Sequence, residues 1–127
     1  MKAIFYLIIL LLFISCSEHK SSKKIDWVAI SEVIITDDST VSDVIKIQAK
    51  AEATNGCWSN LYFEIEKINE FEYLLSAFGT FETNGVCPAV MVYKDTLIEF
   101  IPEKKGMYLF KITEKPNQIS IDTLIIK

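Results

Sequence analysis

Residues 45–53 read Ile-Lys-Ile-Gln-Ala-Lys-Ala-Glu-Ala. Ile45, Ile47, Ala49, Ala51 and Ala53 share one parity; Lys46, Gln48, Lys50 and Glu52 share the other. A strand turns successive side chains to opposite faces, so this alternation predicts a strand with one buried and one solvated face. Thr54-Asn55-Gly56 then ends it with turn residues.

The same period extends outward from this stretch. Leu61, Phe63 and Ile65 alternate with Tyr62, Glu64 and Glu66, and Ile68-Asn69-Glu70 reads as a turn. Phe71 to Glu82 reads as a further strand, with Gly79 as a bulge candidate, and Asn84-Gly85 marks its end. Thr96 to Ile101, Met107 to Ile112 and Ile119 to Ile126 complete the set, with Pro102 closing the first of them. Residues 25–36 (IDWVAISEVIIT) fit both periods, since Trp27, Ile30 and Ile34 also mark a helical stripe. Six neighbouring strands decide for strand. About seven short strands with regular turns predict an all-β, antiparallel β-sandwich over residues 25–127.

The N-terminus has a different character. Lys2 precedes Ala3 to Ile14, twelve residues without a charge. As a helix they reach about 18 Å, against roughly 30 Å of bilayer hydrocarbon. That is the length of a signal-peptide apolar region, not of a span, so residues 1–15 are expected to form a signal helix. Phe13-Ile14-Ser15-Cys16 resembles the lipobox of bacterial lipoproteins, with Phe13 where leucine is usual. The resemblance implies that Cys16 becomes the lipidated first residue of the mature chain. Several acyl chains together hold a protein on a membrane stably, whereas one does not. Ser17 in place of aspartate implies the outer membrane. Residues 16–24, largely Ser, Lys and His, form a polar tether with nothing to bury.

Cysteine use follows from that. The chain has three cysteines. With Cys16 acylated, Cys57 and Cys87 remain as a pair in an oxidising compartment. A zinc site needs about four ligands, and the single histidine, His19, lies in the tether. A Cys57–Cys87 disulfide is therefore expected, placed at loops or strand ends. The chain-entropy model gives it about 3.5–4 kcal/mol.

Lys104-Lys105-Gly106-Met107-Tyr108-Leu109-Phe110 resembles the tyrosine corner of immunoglobulin-like domains, with Gly106 two before Tyr108 and the core residue Phe110 two after it. Phe110 stands where antibody domains place a cysteine, so their inter-sheet disulfide is absent. With Asn55-Gly56-Cys57 after an early strand and Gly106 to Phe110 near the end, the mature chain resembles small bacterial lipoproteins carrying one immunoglobulin-like β-sandwich. That resemblance implies a fold and transfers no activity.

Chemistry is sparse. The formal net charge is −4, and all 13 basic residues are lysine. An acidic chain without arginine lacks the usual bidentate partner of phosphates and guanine edges, so no nucleic-acid partner is expected. No histidine lies inside the folded part, which removes histidine acid–base catalysis. Glu64, Glu66 and Glu72, or Asp37-Asp38-Ser39, could ligate calcium, but such groups are ordinarily solvated surface or turns. No catalytic residue, metal or cofactor is expected. Asp38-Ser39-Thr40, Asp95-Thr96-Leu97 and Asp122-Thr123-Leu124 resemble the acceptor triplet of a bacterial O-glycosylation system.

The expected role is a non-catalytic, lipid-anchored binding or structural module of the cell envelope, with an envelope protein or glycan as partner. The alternative is an inhibitor or accessory lipoprotein of an envelope hydrolase, offering the loop Gly56 to Asn60. By strand phase, a binding patch is expected at Tyr62, Leu74 and Phe78, extended by Trp58 beside the stapled turn.

Overall fold

The computed structural model describes residues 21–36 and 40–127. The expected signal helix, Cys16 and His19 lie outside these residues, as do Asp37, Asp38 and Ser39. Seven strands follow one another: β1 (Ser22–Ile35), β2 (Ile45–Ala53), β3 (Trp58–Asn69), β4 (Glu72–Thr83), β5 (Val92–Phe100), β6 (Gly106–Lys115) and β7 (Gln118–Ile126). The described part is all-β, as the alternation predicts. Strand β1 begins earlier than composition suggests. Ser22, Lys23 and Lys24, assigned above to the tether, pair with Thr83, Glu82 and Phe81. Backbone pairing does not require apolar side chains, so a polar segment can still be a strand.

The strands run β5-β2-β1-β4-β6-β7 in one curled sheet, with β3 on the other side of β4. Strand β1 is the hinge of this arrangement. Ser22 to Val28 pair with β4, and Ala29 to Ile35 pair with β2. A register shift between Ile30 and Glu32 marks the change. One layer is thus β5-β2 with the second half of β1. The other is β3-β4 with its first half, β6 and β7.

The expectation of a wholly antiparallel sheet needs correction. Glu72 to Leu75 of β4 pair with Leu109 to Ile112 of β6 in parallel, and the remaining pairings are antiparallel. The reason lies in the connection. The chain leaves β4, runs through β5 in the other layer, and returns as β6, which supplies the long crossover that a parallel pair needs.

The core forms where the layers face each other. The five apolar residues of 45–53 are buried. Three are alanines, and the same cluster holds Val28, Leu61, Leu75, Tyr108 and Phe110. Small residues on β2 leave room for large ones opposite, which satisfies dense packing. Phe100 of β5 meets Tyr73 of β4 and Phe110 of β6, with ring centroids 5.0 and 5.2 Å apart. These edge-on contacts join the layers.

Two glycines are required by this packing. A Cβ on Gly79 would lie 2.5 Å from Leu61 Cδ2 and 3.2 Å from Trp58 Cε3. Gly79 sits at a bulge on its β3 side: Asn60 and Leu61 both stand opposite it, between the Ser59–Thr80 and Tyr62–Phe78 pairs, while pairing with β1 runs unbroken from Ala77 to Thr83. Gly79 is bare because Leu61 and Trp58 lie over it. Gly106 has φ of +148°, and a Cβ there would lie 2.8 Å from Phe71 Cε1. Two residues on, the Tyr108 hydroxyl donates to the Lys104 carbonyl at 2.8 Å and accepts from the Lys104 N–H at 3.2 Å. The buried ring thus has its polar end satisfied, as the tyrosine-corner resemblance implies.

Candidate functional site

The outward faces of the two layers differ in chemistry. On β2 the outward residues are Lys46, Gln48, Lys50 and Glu52. On the β1-β4-β3 face they include a row of aromatic rings. Val28 is buried, so alternation turns Trp27 outward. Trp27 pairs with Phe78 in register, and Phe78 pairs with Tyr62. The Phe78 and Tyr62 rings stack with centroids 5.7 Å apart. Tyr62 is 38% exposed, and Trp27 and Phe78 are half-buried. The row crosses three strands.

Three of the four residues expected in a patch face this way, and one does not. Tyr62, Leu74 and Phe78 point outward. Trp58 lies on the core side, edge-on to Phe81 at 5.2 Å and packed against the core. The cause is a register shift between Ser59 and Tyr62, where Asn60 adopts φ of +50°. One displaced residue reverses the phase of everything before it. Trp27, rather than Trp58, extends the outward row. Its signal was its alternation with Val28 and Ile30, hidden by the mixed periodicity of residues 25–36.

Leu74 is half-buried and stands apart from the row. It pairs with Glu66 on one side and Lys111 on the other. Between it and Phe78 lies Ser76, whose hydroxyl is 3.1 Å from that of Thr113. Next to Leu74, the Lys111 ammonium hydrogen-bonds and pairs with the Glu72 carboxylate. That bond, aided by charge and by Asn69, holds the Glu72 carboxyl below the usual glutamate range. The carboxylates Glu64, Glu66 and Glu72 do not converge: the first two are solvent-exposed and the third is turned to lysine. Among the described residues no group of three His, Cys, Asp or Glu side chains is placed to hold a metal ion.

A separate open groove lies between the second half of β1 and β7. Glu32, Glu114 and Asp122 line it with Ile30, Ser31 and Ser120. It has no histidine, cysteine or lysine among its lining residues to pair with these carboxylates in acid–base or nucleophilic chemistry. Of the glycosylation-like triplets, Thr123 is exposed on β7, whereas Thr96 is half-buried opposite Ala49.

Cys57 and Cys87 form a disulfide, with Cα atoms 5.2 Å apart. It joins the turn before β3 to the loop after β4. The Gly56 N–H donates to the Pro88 carbonyl at 2.9 Å, and the Glu82 N–H to the Cys57 carbonyl at 2.9 Å. The Asn55 side chain accepts from the Cys57 N–H at 3.0 Å, an Asx turn that explains Asn-Gly before the cysteine. Comparison with protein-family models, curated proteins and solved structures yields no match.

Proposed function

We propose that this chain is a lipid-anchored, non-catalytic binding or structural module of the cell envelope, held to the outer membrane through Cys16. Its binding surface is the outer face of β1, β4 and β3, with Trp27, Phe78 and Tyr62 at its centre and an envelope protein or glycan as partner. The observation that carries this reading is the aromatic row: rings aligned across three strands and left partly open to solvent. Tyr and Trp anchor interfaces because they offer large, rigid, amphipathic contact area. Flat rings beside hydroxyls and carboxylates suit sugar rings as well as protein.

The inhibitor alternative depends on a projecting loop at Gly56 to Asn60. That segment is tied to Pro88 and Glu82 and lies beside the first described residue, Ser21. An anchor on Cys16 turns it towards the membrane, away from soluble hydrolases, and no observation favours the alternative.

Two measurements test the proposal. Cys16→Ser should release the protein from membranes or stall it as precursor; a mutant retained at mature size defeats the anchor. Chemical cross-linking in native envelope should yield a partner with the unaltered chain and much less with Trp27→Ala/Tyr62→Ala. Equal yield from a double variant with an unchanged unfolding midpoint defeats the surface.

A further inference from the structure

The end of the sandwich where β1 begins carries two uncharged loops as well as the β6–β7 turn with Lys115, and the opposite end carries charged connections. At the end where β1 begins, the turn 54–57 meets the loop 84–91, Asn-Gly-Val-Cys-Pro-Ala-Val-Met. Neither segment contains a charged residue. Val86 is 79% exposed, Val90 55% and Met91 38%. At the opposite end the connections carry Asp43, Glu70, Glu103, Lys104 and Lys105. Exposed aliphatic side chains on a loop fastened by a disulfide and backbone bonds are a fixed apolar surface, not a collapsed one.

The position of the chain says what this surface meets. Ser21 borders one hollow with Cys57, Val86 and Pro88, and Ser22 pairs with Thr83. Cys16 lies five residues before Ser21. Fully extended, five residues span at most roughly 17 Å. The headgroup layer on each side of a bilayer takes up about 5–8 Å. Acyl chains on Cys16 therefore hold this end close against the bilayer surface, whatever path the intervening residues take.

We propose that the disulfide-stapled end is a membrane-seating surface, with Val86, Val90 and Met91 resting among the headgroups of the bilayer that the acylated Cys16 enters. The inference rests on the lipid-anchored reading and adds an orientation to it. The two uncharged loops avoid the desolvation that carboxylates or ammonium groups would suffer at that depth, and the charged connections of the opposite end remain in water. The strands then stand away from the membrane, and the Trp27–Phe78–Tyr62 row faces sideways, open to a partner.

The test uses the full-length protein in the membranes of cells that make it. A photoreactive benzophenone amino acid replaces Val86 in one chain and Lys105 in another. After irradiation, mass spectrometry of the purified protein reads the acyl mass on Cys16 and any phospholipid adduct at the probe. The expected result is an acylated Cys16 with phospholipid adducts at position 86 and none at 105. An acylated chain without lipid at 86, with equal lipid at both positions, or with protein cross-linked at 86 in its place overturns the seating while the anchor stands. A chain without acyl mass on Cys16 overturns anchor and seating together.

Discussion

Two groups of aromatic rings occupy opposite sides of the same sheet. Tyr73, Phe100, Tyr108 and Phe110 face inward, drawn from both layers, and meet mostly edge-on. Trp27, Phe78 and Tyr62 face outward, drawn from one layer, with Phe78 and Tyr62 stacked flat. Strand β4 supplies Tyr73 to one group and Phe78 to the other, five positions on. Residue type does not separate them; parity and the presence of a second layer do. A ring pair is worth about 0.5–1.5 kcal/mol beyond area burial in either place. Only the inner group adds the full transfer of its surface out of water, so its contribution to stability should be several times larger.

The sharpest way to break this comparison is to truncate one ring from each group. Phe110→Ala should cost about 3–5 kcal/mol, read as a fall in the urea midpoint, because it leaves a cavity under two layers. Nearly the same loss from Phe78→Ala would mean that the outer row is core. Replacing the staple, with Cys57→Ser and Cys87→Ser together, should cost about 3–4 kcal/mol in the same assay. Reducing agent should have no further effect on that double variant. Tyr62→Ala should cost less than about 1 kcal/mol of stability, since the ring is partly exposed. Its larger effect should be on partner capture; a reversed ratio removes Tyr62 from the proposed surface.

The smallest effect concerns the ion pair beside Leu74. The carboxyl of Glu72 is lowered below its ordinary value, first by the hydrogen bond from Lys111. Its contribution is therefore complete above the unfolded glutamate pKa and is lost as pH falls through the lowered folded value. Melting temperature should fall on acidification from about pH 5 downward, the range in which glutamates titrate. Glu72→Gln should remove a small part of that slope and leave neutral-pH behaviour nearly unchanged, as expected for a pair still partly open to solvent.

The strand register was legible in some regions and not in others, for a consistent reason. Residues 45–53 alternate without interruption, and each of their inward residues is buried. Gly106, Tyr108 and Phe110 were legible because a tyrosine corner is local, with hydroxyl and carbonyl partner four residues apart. The Cys57–Cys87 pairing followed from arithmetic on three cysteines. Trp58 was misplaced because its phase depends on a shift at Asn60, and nothing in the flanking alternation announces an inserted residue. Trp27 was missed because β1 serves two layers. A strand that changes partners midway buries each half against a different surface, and its periodicity blurs.

The sequence by itself determined the class of the protein: strands from alternation, turns from Asn-Gly and Pro, and a staple from the cysteine count. These are short-range properties, set by how side chains project from a few adjacent residues. Only the tertiary structure decided that β4 shares one edge between β1 and β6, that one strand pair is parallel, and that Gly79 is bare to admit Leu61 and Trp58. It alone aligned Trp27, Phe78 and Tyr62 and gathered the uncharged loops beside Ser21. Those facts relate residues tens of positions apart, and the closure of a curled sheet, unlike the pleat of a strand, leaves no period in the chain.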